Sequence, residues 1–175
     1  MFAIDSSTQP MQALRFEDDG ATPNSRFPVL LYRLQRVEPA HDNAGAFESL
    51  FAAHQWTPLW RAGIFDYHHF HSNAHEVLGV ARGRARIMLG GAAGQALTVK
   101  AGDVLVLPAG TGHRCLASSD DFLVVGGYPQ GQEHYDIQRP EIGAHQQALA
   151  RIARVPIPQQ DPVTGADGAL TRHWR

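Results

Sequence analysis

Gly63-Ile64-Phe65-Asp66-Tyr67-His68-His69-Phe70-His71-Ser72-Asn73-Ala74-His75-Glu76 holds four of the ten histidines of the chain, set among aromatic residues. Read as an extended strand, it sends His69 and His71 to one side together with Phe65 and Tyr67, and His68 and Phe70 to the other. If the first side faces an apolar interior, two neutral imidazoles bring four ring nitrogens that need partners, and a shared metal ion supplies two of them at once. Glu76 follows a short Ser72-Asn73-Ala74 connection that can bring a carboxylate to the same interior. A helical reading of His71 and His75 as an i, i+4 metal pair is rejected, because the glutamate of such a motif follows its first histidine and Glu76 follows the second. The flanking aromatics also favour a strand.

On either side of this stretch the hydropathy period is two. The predicted strands are Trp60 to His71, His75 to Arg82, Ala85 to Leu89, Ala96 to Val99, Val104 to Leu107, His113 to Leu116 and Phe122 to Tyr128, separated by glycine-containing turns. Many short strands without intervening helices indicate an all-β sandwich, jelly roll or barrel. Upstream, Phe27 to Leu34 reads as a further strand ending before Glu38-Pro39, and Ala44 to Trp56 carries an apolar stripe at helical spacing. Downstream, Pro140-Glu141 is expected to open a helix running to about Val155, which Pro156, Pro158 and Pro162 end. The last fifteen or so residues are expected to form an arm on the surface or on a partner subunit. The organisation is thus 1–58 as N-terminal arm, edge strand and helix, 59–128 as barrel, and 129–175 as C-terminal helix and proline-rich arm, all within one structural domain.

The chain has 175 residues, 43% of them hydrophobic and 18% charged, which suits one globular domain and excludes a disordered chain. A net charge of -2 provides no field for nucleic acid or an anionic membrane surface. Cys115 is the single cysteine, so no intramolecular disulfide forms. No signal-peptide core or membrane-length apolar run is present, and a cytoplasmic setting is the expectation.

Far downstream, Gly102-Asp103-Val104-Leu105-Val106-Leu107-Pro108-Ala109-Gly110-Thr111-Gly112-His113 adds a strand, a turn and a fourth candidate donor. With it the chain resembles the cupins. Gly63-x5-His69-x-His71-x4-Glu76-x6-Gly83 matches the first cupin motif at every defined position, and Gly102-x5-Pro108-x-Gly110-x2-His113 matches the second as far as its histidine. Ala117 stands where that motif ends in asparagine, a position that is usually structural. Phe16-Glu17-Asp18-Asp19-Gly20, Trp60-Arg61-Ala62-Gly63, the stretch from His71 to Gly79 and Ser118-Ser119-Asp120-Asp121-Phe122 resemble the small bacterial cupins of the YjlB type, so the resemblance spans roughly residues 14 to 135. It implies a double-stranded β-helix, or jelly roll, in which His69, His71, Glu76 and His113 converge on one divalent metal inside the barrel mouth.

Three imidazoles and a carboxylate suit a first-row ion (Fe, Mn, Ni, Co or Zn) better than magnesium or calcium. Four protein ligands leave an octahedral ion two open positions, which chemistry on a small-molecule ligand requires. Dioxygenase and isomerase chemistry are the two catalytic branches. A non-catalytic metabolite-binding or sensing module is the alternative, and a barrel with purely structural histidines is a third. His75, at the rim, and Tyr67 are candidates for proton transfer, and Phe65, Met88, Cys115 and Trp60 for the pocket wall. The outer-face residues His68 and Phe70, with the helix and tail, suggest a homodimer. Because imidazole ligates only when neutral, the ion is expected to leave as pH falls through about 5 to 6.

Overall fold

A strand that alternates between core and water reads as alternating hydropathy, whereas one covered on both faces reads as a continuous apolar run. Val29-Leu30-Leu31-Tyr32 and Val104-Leu105-Val106-Leu107 are such runs, and every one of these residues is buried. The computed structural model describes residues 2–3, 12–36 and 42–175; Glu38-Pro39, before which the strand from Phe27 was expected to end, lies outside the described residues. Its strands are β1 (Phe2–Ala3), β2 (Gln12–Leu14), β3 (Val29–Arg33), β4 (Gln35–Arg36), β5 (Trp56–Ala62), β6 (Glu76–Arg82), β7 (Arg84–Leu89), β8 (Gln95–Lys100), β9 (Asp103–Leu107), β10 (His113–Ser118) and β11 (Leu123–Pro129). The helices are α1 (Asn43–Ala53), α2 (His145–Ile152) and α3 (Ala169–His173).

The expected all-β jelly roll is what forms. Antiparallel pairing builds a six-stranded sheet in the order β2-β3-β9-β6-β11-β5 and a three-stranded sheet in the order β10-β7-β8. Between them lies an apolar core that includes Leu31, Leu78, Val80, Ile87, Leu89, Leu105, Leu107 and Val124. The other face of the large sheet, with Leu30, Tyr32, Val77, Val104, Val106 and Val125, packs against Phe47 and Phe51 of α1 and against Val163, Leu170 and Trp174 of the C-terminal segment. At Gly83 the chain leaves β6 for β7 and so passes from one sheet to the other, with a φ of +69 in the left-handed region that glycine tolerates.

Four expectations are corrected. Trp60 to His71 is not one strand: β5 ends at Ala62, where the chain turns the corner between the sheets. The backbone beyond it then pairs with β10, the Cys115 N–H donating to the Phe65 carbonyl at 2.8 Å and His69 bridging His113. Phe70, expected on an outer face open to a partner, is only 2% exposed, and its backbone pairs with Gln138 of the same chain. The helix expected from Pro140 starts later, since Glu141 is extended and Ile142–Ala144 make a single 3₁₀ turn before α2. The C-terminal arm is not superficial. Buried Asp161 accepts the N–H groups of Val163, Thr164 and Leu170 and the Tyr32 hydroxyl, which ties the segment to β3. The indole of Trp174 donates to the Pro28 carbonyl at 2.9 Å and stacks on Phe27.

Helix α1 was expected over Ala44 to Trp56. The Asp42 carboxylate caps its start by accepting the Gly45 N–H at 3.0 Å. Its end comes before Gln55, whose positive φ of 65 turns the chain into β5.

Candidate metal centre

Parity in β6 places Glu76 on the same face as Leu78 and Val80, inside the barrel, and the register of β10 against β7 sets His113 opposite buried Leu89. The bridge between His69 and His113, with N···O distances of 2.9 and 3.2 Å in its two hydrogen bonds, fixes the histidine stretch beside β10. His69, His71, Glu76 and His113 therefore all line one cavity of about 160 Å³, closed by Trp60, Ile64, Phe65, Leu78, Tyr128, Tyr135 and Ile137 among others.

The imidazoles are oriented by main-chain acceptors. Nδ1 of His69 faces the Tyr67 carbonyl at 3.0 Å, Nδ1 of His113 faces the Thr111 carbonyl at 3.0 Å, and Nδ1 of His71 faces the Asp136 carbonyl. A carbonyl only accepts, so each Nδ1 carries the proton and Nε2 presents a lone pair in the neutral ring. For His71 and His113 that lone pair points at the same carboxylate oxygen, Glu76 Oε2, at 3.1 and 3.2 Å. Two neutral rings and a carboxylate would set acceptor against acceptor, so the arrangement calls for a proton or a cation among them.

The ionisation of the groups follows. Burial lowers the affinity of His71 for a proton, but the Glu76 carboxylate overrides this and raises it above the ordinary value. Burial likewise favours the neutral form of Glu76, and the charge and hydrogen bonds of His71 and His113 outweigh it and hold the carboxyl well below the usual range. His69, held mainly by burial and then by His113, is lowered to about 3.

Among the described residues, one donor atom each from His71, Glu76 and His113 lies within 4.8 Å of the others, all three buried. His69 stands beside this cluster, its ring centroid 4.0 Å from that of His113 and 6.2 Å from that of His71.

The other candidates separate. Phe65 lines the cavity. Tyr67 stacks on Phe65 with centroids 4.9 Å apart and carries the Arg139 guanidinium 3.9 Å above its ring, so its ring lies outside the cavity wall while its carbonyl holds His69. His75 is not at the site. It immediately precedes Glu76, the first residue of β6, and points to the opposite side, where it packs against Trp174 and its Nδ1 accepts the Ala109 N–H at 2.8 Å. Met88 alternates with inward Ile87 and Leu89 and therefore faces outward, away from the cavity. Cys115 packs against the inter-sheet core without reaching the cavity. His68 is half-buried.

Three contributors were absent from the sequence reading. The Tyr128 hydroxyl donates to Glu76 Oε1 at 3.1 Å and accepts the Trp60 indole N–H at 2.9 Å; its parity with buried Val124 in the predicted strand is a signal that finds it. Tyr135 stacks on Tyr128 with centroids 3.9 Å apart. Asp136 gives its carbonyl to His71 and its carboxylate to the Ser72 N–H at 2.7 Å and to the Ser72 hydroxyl, which in turn accepts the Arg151 guanidinium N–H. Tyr135 and Asp136 lie in an irregular segment that carries no period.

A family model described as Cupin matches residues 63–139. The chain is 39% identical over 164 residues, 93% of its own length and 96% of the relative's, to the uncharacterised protein YjlB of Bacillus subtilis (strain 168). Among solved structures it is similar to an acireductone dioxygenase from Bacillus anthracis holding a cadmium ion in its active centre, with a TM-score of 0.43 and 13% identity, covering 59% of this chain and 79% of that one. It is also similar to an oxalate decarboxylase from Bacillus subtilis with Mn(II) centres, with a TM-score of 0.38 and 18% identity over 75% of this chain and 29% of that one.

Proposed function

The chain belongs to the cupin family, among the YjlB-type members, and from that membership we propose that it is a metal-dependent enzyme acting on a small molecule, with His69, His71, Glu76 and His113 holding one divalent first-row ion. The observation that carries this reading is the orientation of the rings: three Nδ1 atoms are tied to main-chain carbonyls, and two of the Nε2 atoms face one Glu76 oxygen at 3.1 and 3.2 Å. Outer hydrogen bonds of this kind fix the tautomer of ligating histidines.

An ion bound by such a set, of iron, manganese, nickel, cobalt or zinc, supplies Lewis-acid polarisation or dioxygen chemistry to an oxygen-bearing substrate. Glu76 offsets half of its charge. Tyr128 keeps its proton, because burial and then the Glu76 charge push the phenol up, and it holds that proton at Oη as a donor to Glu76 Oε1. Trp60, Ile64, Phe65, Leu78 and Ile137 exclude water around the bound substrate. Dioxygenase and isomerase reactions are the two chemistries this arrangement serves.

Elemental analysis of protein purified without an affinity tag or chelator tests the reading. About one equivalent of a first-row ion is expected in the native protein, with loss in His71→Ala and His113→Ala variants that still fold. His69→Ala, which removes the donor standing beside the three-residue cluster, is expected to weaken retention as well. Absence of metal in the native protein, and none taken up on reconstitution, overturns it.

A further inference from the structure

The walls of the cavity say more than its donors. We propose that the site selects a singly charged chelating head carrying an apolar body about the size of one aromatic ring. The inference rests on the metal-site reading above and deepens it.

Three observations support it. The first is charge. A divalent ion with one carboxylate and three neutral imidazoles keeps one net positive charge, which a monoanionic head neutralises. A dianionic head leaves a negative charge over, and no cationic wall residue meets it: among the described residues no Lys or Arg lines the cavity. Arg61, on the neighbouring strand, is paired with Glu48 at 2.7 Å, and Arg139 lies over the Tyr67 ring. Leaving an uncompensated charge among apolar groups is costly.

The second is the lining, which beyond the donors is mainly aliphatic and aromatic: Ile64, Leu78 and Ile137 with the rings of Trp60, Phe65, Tyr128 and Tyr135. The polar edges of Trp60 and Tyr128 are already used, the indole N–H on the Tyr128 hydroxyl and that hydroxyl on Glu76. They present their ring faces rather than free donors to a ligand. The third is size. The cavity measures about 160 Å³ and also holds the ion and the head; since benzene alone fills an apolar cavity of roughly 150 Å³ in another protein, a body of one ring is the upper limit and reaches toward the mouth. Phe65 and Ile137, each 46% exposed, carry the apolar surface out to the mouth.

The test uses the full chain reconstituted with zinc and isothermal titration with two pairs of probes, metal content being measured on the same samples. Benzohydroxamate is expected to bind about tenfold or more tightly than acetohydroxamate, which has the same head without the ring. Picolinate is expected to bind about tenfold or more tightly than quinolinate, the same chelate with one further carboxylate. Phe65→Ala and Ile137→Ser, both at the half-exposed mouth, are expected to reduce the hydroxamate ratio severalfold, compared on samples of each variant that hold one equivalent of zinc.

A ratio near one in either pair, on protein holding one equivalent of zinc, overturns this proposal and leaves the metal site standing. Protein that takes up no zinc overturns the metal site and with it the selection of a chelating head; a hydroxamate ratio that persists there retains only the preference of the walls for a ring. No zinc and ratios near one overturn both.

Discussion

Glu76 divides its two oxygens between two environments: Oε2 faces the imidazoles of His71 and His113, and Oε1 accepts from Tyr128. Removing the phenol hydroxyl leaves Oε1 buried without its donor, and outer partners of this kind typically alter metal affinity 10- to 100-fold. Tyr128→Phe is therefore expected to weaken metal binding by about tenfold, read by competition with a chromophoric chelator. A second prediction concerns acid. Burial lowers both His69 and His75 to about 3, whereas an unfolded chain takes up the proton near 6.5. As pH falls below about 6.5 the unfolded state binds protons that the folded state refuses, so each group removes up to about 1.4 kcal/mol per pH unit. His71, raised by Glu76, works in the opposite sense, and its contribution is present in acid and lost as pH rises. The urea midpoint of chelator-treated protein is expected to fall between pH 6.5 and 5. His75→Gln, which keeps an acceptor for the Ala109 N–H, is expected to flatten that slope by about one proton's worth. Period-two parity in the sequence puts His69 and His71 on one side and leads to Tyr128. It also separates His75 from Glu76, which a reading by proximity in the chain misses. The carbonyl of Asp136 has no such signal, since every residue has one.

The elements follow from a sheet covered twice. Continuous runs such as Val104-Leu105-Val106-Leu107 announce it in the sequence, and the apolar stripe of α1 announces one of the covers. Their contact explains Gly79: a Cβ there would stand 2.9 Å from ring atoms of both Phe47 and Phe51. Gly79→Ala is expected to push α1 off β6 and to destabilise the fold by about 1–3 kcal/mol, checked by urea denaturation. The corner after β5 was not legible, because hydropathy of period two continues through Gly63 to His71 while the hydrogen-bonding partner changes from β11 to β10. That change is what brings the histidines to the cavity.

At the scale of the whole molecule, the second cover comes from the C-terminal segment. Its apolar residues, Val163, Ala169, Leu170 and Trp174, are spaced without period among prolines and glycines, so sequence reading makes an arm of what is core. Trp174→Ala is expected to cost about 3–5 kcal/mol, measured by urea denaturation, since the ring is 2% exposed and its N–H is bonded to Pro28. Residues 161–174 follow every strand of the sheet they cover, so they leave a ribosome after β2 to β11. At about 5–20 residues per second, the part of the large sheet's outer face that α1 leaves open stays uncovered after β11 until Asp161 can meet Tyr32 and Trp174 can cover Phe27. A chain whose synthesis has reached β11 but not Trp174 thus presents apolar sheet surface that only later residues can cover.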